Sequence, residues 1–126
     1  MKCIWHSVLF FVLASFSGCN PAPDEIIFCG DDTVIIIDDK ASDSTDVKLN
    51  WSWKVSEVSD LPADYQKLMI PTDECKPVDG NSKILITSSG GGVVLVDRET
   101  KKTLFYARVP MAHSAEMLPG DRKSVV

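Results

Sequence analysis

The 126-residue chain carries 18 acidic and 13 basic residues, a net charge of −5, and is 44% apolar. Nowhere do Lys and Arg cluster, which argues against DNA or RNA as a partner, since that binding runs on grouped cations. The acidic residues are spread from Asp24 to Asp121 and describe a solvated surface.

The first element in the chain is an export signal. Lys2 supplies a positive start, Val8 to Ala14 is unbroken apolar sequence, and Ser15, Ser17 and Gly18 are small residues before Cys19. The apolar core is far too short to cross about 30 Å of hydrocarbon, so residues 1–18 are expected to be a signal peptide that is cut away. "FSGC" resembles the lipobox of bacterial lipoproteins, with Gly18 before the cut, Cys19 as the first mature residue, and Phe16 where Leu is usual. That resemblance implies a diacylglycerol on the Cys19 sulfur and an acyl group such as palmitate on its new amine. Stable anchoring takes at least two chains at about 0.8 kcal/mol per buried methylene. Three would hold the protein on a membrane, here expected to be an outer membrane, through Cys19 alone. An ordinary secreted protein is the alternative. Residues 19–25 read as a polar tether, and Asp24-Glu25 resembles the acidic surface-export signal of some Bacteroidota lipoproteins. The periplasmic and the outward face both stay open.

Cysteine use follows from that processing. Cys3 leaves with the signal and Cys19 takes the lipid, so Cys29 and Cys75 remain in an oxidising compartment where a disulfide is allowed. Joining them would close a loop of 46 residues, an entropic gain of roughly 4 kcal/mol. Two separately buried thiols are the alternative.

Residues 26–126 make up the folded part and read mostly as strands. Ile26 to Cys29 and Val34 to Ile37 are short β-branched runs around the turn-prone "GDD" at 30–32. Asp38 to Asp46 is polar and reads as a loop. In "KLNWSWKV", Leu49, Trp51, Trp53 and Val55 fall on one face and polar residues on the other, which predicts a strand with one solvated side. Its two tryptophans could form a sugar-stacking platform or pack against a neighbouring sheet. "SDLPADYQKLMIP" is the one helical segment: Asp60 can cap, Pro62 sits in the first turn, Leu61, Tyr65, Leu68 and Met69 share a face, and Pro71 ends it. It is short enough to be an insertion between strands. "SKILITSS" puts Ile84 and Ile86 on one face and Leu85 and Thr87 on the other. Asp97 to Lys101 predicts a hairpin turn joining Val93–Val96 to Thr103–Val109, and Pro119-Gly120 a further turn.

Gly90-Gly91-Gly92 could suggest a phosphate loop. Such a loop needs G-x-x-x-x-G-K-[ST] opening a helix, because free helix amides complete the anion site. Here Gly92 runs into Val93-Val94-Leu95-Val96 with no Lys-Ser or Lys-Thr. The glycines are expected to be a bend between strands, where positive φ and close backbone approach are needed.

"ILITSSGGGVVLVDRETKKTLFYARV" reads as strand, glycine bend, strand ending in Asp, charged turn, strand, and so resembles part of a blade of PQQ-like or WD-like β-propellers. "VIIIDDKASDSTDVKLNWSWKV" resembles an earlier hairpin, and "HSAEMLPGD" the opening of a following blade. With "DECKPV" and "AHSAEMLPG" in this order, Ile26 to Asp121 resembles the first part of a family of Bacteroidota lipoproteins expected to be propellers. The fold class implied is all-β: one to two blades of a β-propeller with a short helical insertion. At about 45 residues per blade the chain supplies roughly two, whereas propellers use about 4 to 8. Lys123-Ser124 also interrupts an expected strand, so a truncation or frameshift near residue 123 is expected, and missing blades would be needed for closure. A small self-sufficient β-domain is the alternative.

The resemblance places ligands at a central channel, with His113, Ser114 and Glu116 facing it. His113 could move a proton or bind a metal, or merely order a turn; no second His completes a zinc set. Asp31-Asp32 and Asp38-Asp39 miss a calcium loop, since the twelfth residue from Asp31 is Ser42. No G-x-S-x-G occurs. No cofactor and no catalytic set is assigned. The functional expectation is a lipid-anchored ligand-binding or scaffold propeller for a glycan or a protein. The alternative is a periplasmic propeller enzyme, arylsulfotransferase-like or lyase-like, with its remaining residues elsewhere.

Overall fold

The computed structural model describes residues 24–38 and 47–118. The signal, Cys19, most of the 38–46 loop and the Pro119-Gly120 turn lie outside them. The described residues form two antiparallel sheets and one short helix, the all-β architecture with a helical insertion that the sequence leads one to expect.

The first sheet has three strands in the order β1 (Glu25–Gly30), β2 (Thr33–Asp38) and β3 (Leu49–Lys54). Asp31 and Asp32 make the β1–β2 turn, with Asp31 at a φ of 51°. The Asp32 carboxylate is occupied there by the hydroxyls of Thr33 and Ser56 and by Lys54 at 3.9 Å. After β3 the chain leaves the sheet in a 3-10 turn, Val55–Glu57, and enters α1 (Ala63–Gln66), which tightens into a 3-10 turn at Lys67–Met69. Among the described residues no helix is long and apolar enough to cross a membrane.

The second sheet is a four-stranded meander in the order β4 (Thr72–Val78), β5 (Lys83–Ser88), β6 (Gly92–Asp97) and β7 (Thr103–Arg108). β4 has too few apolar residues to register as a strand by pattern, and its Pro77 fits an edge position. The triple glycine is a bend between β5 and β6, with Gly91 at a φ of 99°. A Cβ at Gly90 would lie 2.5 Å from the Leu68 carbonyl oxygen, so the end of the helical insertion sits directly on this bend.

The main core lies between the two sheets. The register aligns Cys29–Val34–Trp53 and Ile27–Ile36–Trp51 across the first sheet, and Cys75–Ile86–Val94–Tyr106 across the second. Leu61, Tyr65 and Met69 of the helical insertion join this core. The Tyr65 hydroxyl enters the β6–β7 ladder at the Val93–Ala107 pair, accepting from the Val93 amide at 3.0 Å and pointing its proton at the carbonyls of Val93 and Ala107. Burial pushes its pKa up against those bonds. Arg98, in the β6–β7 turn, joins the sheets at their rim: its Nη2 lies 2.7 Å from both Glu25 carboxylate oxygens, and its carbonyl accepts the Trp51 indole N–H at 2.7 Å.

A smaller cluster covers the other face of the second sheet, where Leu85, Val93 and Leu95 pack against Ala112 and Ala115. Two expectations need correction. Leu49 is 55% exposed and not part of the Trp51–Trp53 face, because a register shift between Ile36 and Ile37 offsets the end of β3. Asp60 does not cap the helix; its carboxylate takes the amide and hydroxyl of Thr103, and the Pro62 carbonyl accepts the amides of Tyr65 and Gln66.

Candidate functional site

β4 alternates two faces. Cys75 turns to the core between the sheets, while Glu74, Lys76 and Val78 turn to the side covered by residues 109–118. The covering segment has no ladder of its own. It is held by burial of Ala112 and Ala115 and by polar bonds from the sheet. Thr87, opposite Glu74 in the register, gives its hydroxyl proton to the His113 carbonyl at 3.2 Å. The Ala115 amide donates to Glu74 Oε2 at 3.4 Å, and Lys76 Nζ lies 3.4 Å from the same oxygen. The Ser114 hydroxyl completes the set on Glu74.

Partial burial would raise the Glu74 pKa, but the Ser114 hydroxyl, the Lys76 ammonium and the Ala115 amide outweigh it and hold the carboxyl below its ordinary value. Glu74 is therefore an anion near neutrality, a hydrogen-bond acceptor and not a proton donor. Beside it opens a cavity of about 240 Å³ lined by Ser114, Ala115, Glu116 and Leu118. Its lining offers the Ser114 hydroxyl, the Glu116 carboxylate and an apolar wall from Ala115 and Leu118, groups suited to holding a hydroxyl- or amide-bearing ligand.

Of the residues singled out in the sequence, Ser114 and Glu116 share this cavity. His113 is exposed, and the hydrogen bond from Thr87 goes to its carbonyl, not its imidazole. Glu74 carries no sequence signal, since Ser114 and Ala115 lie about forty residues away and meet it only through the fold, and Lys76 gains its place through Glu74. Among the described residues no group of three His, Cys, Asp or Glu side chains could hold a metal.

The tryptophans pack and do not form a platform. Trp51 is 8% and Trp53 3% exposed, both inside the main core. A second opening, about 370 Å³, lies beside Trp53 and is lined by Lys54, Lys101, Lys102, Glu57 and Asp60. Its charges are largely engaged already: Lys54 with Asp32, Lys101 over the Trp51 ring at 5.8 Å, and Asp60 with Thr103.

Cys29 and Cys75 are partly buried and unbonded, and both pack into the main core between the sheets.

Residues 25–125 match a family described as "Family of unknown function (DUF6528)", and the chain belongs to that family. No curated protein and no solved structure matches it.

Proposed function

We propose that the chain forms part of a lipid-anchored β-propeller, exported to the outer membrane and held there through Cys19, that binds a glycan or protein ligand at the Glu74–Ser114 cluster. One observation carries the architecture. The outward face of the first sheet is apolar and, among the described residues, uncovered: Ile26 pairs with Ile37 and Phe28 with Ile35, so four large side chains form one patch, with Phe28 48% exposed. The corresponding face of the second sheet is covered. In a radial array of sheets each wedge has a sheet on either side, and the occupant that fits the bare patch is another sheet of the same propeller. The four-stranded meander, a second sheet on one of its faces and the 109–118 segment on the other support the same reading. The cluster is read as a binding site because Glu74 is held as an acceptor by groups already in place.

The reading is tested on protein isolated from its own membrane. Oxidative footprinting should find Phe28 and Ile35 protected there and labelled when this chain is produced alone; equal labelling in both would overturn the propeller. Cys19→Ala should move the protein from the detergent phase to the aqueous phase, and retention in detergent would remove the anchor. On glycan and peptide arrays, a ligand should be lost on Ser114→Arg, which fills the cavity. A ligand that this variant retains would overturn the site.

A further inference from the structure

We infer that Cys29 and Cys75 form a disulfide that staples the first sheet to the second. The register leads there. Cys29 heads the row Cys29–Val34–Trp53, and Cys75 heads the row Cys75–Ile86–Val94; both rows line the core between the sheets. β1 and β4 are the strands along which the two sheets meet most extensively, and both cysteines pack into the same core there. No backbone ladder joins β1 to β4. At this seam the sheets share side chains and, at one end, the Thr72 amide's bond to the Asp31 carbonyl at 2.7 Å, and a bond between these sulfurs would be the one covalent tie across it apart from the connecting chain.

The chemistry needs a disulfide-bearing oxidant, either a protein dithiol oxidase or oxidised glutathione. Burial next to Cys29 pushes the Cys75 thiol up, so Cys75 is the poorer opening nucleophile. As thiolate, Cys29 attacks the oxidant and expels one of its sulfurs as thiolate, its own proton having passed to solvent. Cys75 then gives up its proton and attacks the Cys29 sulfur of the mixed disulfide, expelling the oxidant. Two protons and two electrons leave the protein, the oxidant ends as two thiols, and the sulfur–sulfur bond closes a loop of 46 residues. Both cysteines retain partial exposure, which leaves an approach for the oxidant.

The geometry is independent of cellular location; that the bond forms in the cell rests on the export reading above. The full chain, purified under reducing conditions, is treated with oxidised glutathione, alkylated and mapped by mass spectrometry. A Cys29–Cys75 cross-linked peptide is expected, separable from any product of Cys3 or Cys19. The oxidised protein should melt about 15 °C above the reduced one, and Cys29→Ser should melt alike with and without reductant. If Cys29 and Cys75 are recovered separately alkylated after oxidation, or if the linked form melts no higher, the staple is overturned. In the second arm, acid-quenched cells are alkylated directly. A cross-link in the purified protein with free thiols in cells would overturn export to an oxidising compartment while leaving the geometry standing.

Discussion

The two sheets are built from similar sequence and end up in different surroundings. β2, "TVIIID", and β6, "GVVLVD", are equally apolar, yet β6 is buried on both faces whereas β2 buries only Val34 and Ile36 fully. The difference lies in what covers them. β6 has the first sheet and the helical insertion on one side and residues 109–118 on the other. The outward face of β2 has nothing over it among the described residues. Apolar alternation therefore specifies two faces fit for burial in both sheets, and neighbours decide how many of them are used.

The comparison is broken most directly by truncating one side chain on each face of the first sheet. Trp53→Ala removes the end of an inward row and should cost about 3–5 kcal/mol. Phe28→Ser, on the outward face of the same sheet, should change the stability of this chain by about 0.5 kcal/mol or less. Urea unfolding followed by circular dichroism measures both. Equal losses would mean that something covers Phe28 even in the isolated chain.

The second test concerns what keeps the sheets at their spacing. The helical insertion sits on the glycine bend of the second sheet, and its Tyr65 reaches into the β6–β7 ladder. Gly90→Ala places a methyl group 2.5 Å from a backbone oxygen that has no flexible side chain to yield. It should cost about 1–3 kcal/mol. Tyr65→Phe leaves the Val93 amide without its hydroxyl partner and should cost about 1–2 kcal/mol. Gly30→Ala, at a turn where a new Cβ meets nothing within 4 Å, is the control and should fall well below both in the same unfolding assay.

Much of this was legible before the structure, and the boundary has a physical cause. The two-faced alternation of Ile84, Ile86 against Leu85, Thr87, the hairpin at Asp97 to Lys101 and the glycine bend are encoded within a few residues, by side-chain period and turn chemistry. Leu49 was misplaced because a register shift belongs to a pair of strands and has no trace in either alone. Asp60 has the right type and position for a cap, but Thr103, far along the chain, offers its carboxylate two donors. Glu74 and Lys76 sit in a strand whose pattern is broken by Pro77, and their meaning comes from Ser114 and Ala115. The thiol pair was open in the sequence for the same reason. Only the two registers taken together bring Cys29 to Cys75.

The smallest effect is the most specific to the covered face of the second sheet. Glu74 and Asp97 both have carboxyls held below their ordinary values. For Glu74, burial opposes the shift and the Ser114 hydroxyl, Lys76 and the Ala115 amide carry it. For Asp97, the amide and hydroxyl of Thr100 carry it. A carboxyl whose folded pKa is depressed binds its proton more readily in the unfolded chain, so it stabilises the fold above the unfolded value and loses that contribution as pH falls through the folded one. The melting temperature should thus hold steady near neutrality and decline below about pH 4.5, the ordinary value for Glu74. Glu74→Gln should flatten part of that decline. Because Glu74 pins residues 114–115 over the second sheet, the variant should also speed amide exchange in 112–116 while leaving β1 and β2 unchanged. Exchange that rises equally in the first sheet would mean that the covering segment and the bare sheet respond as one unit, and the contrast between the two faces would then be no guide to how the molecule holds together.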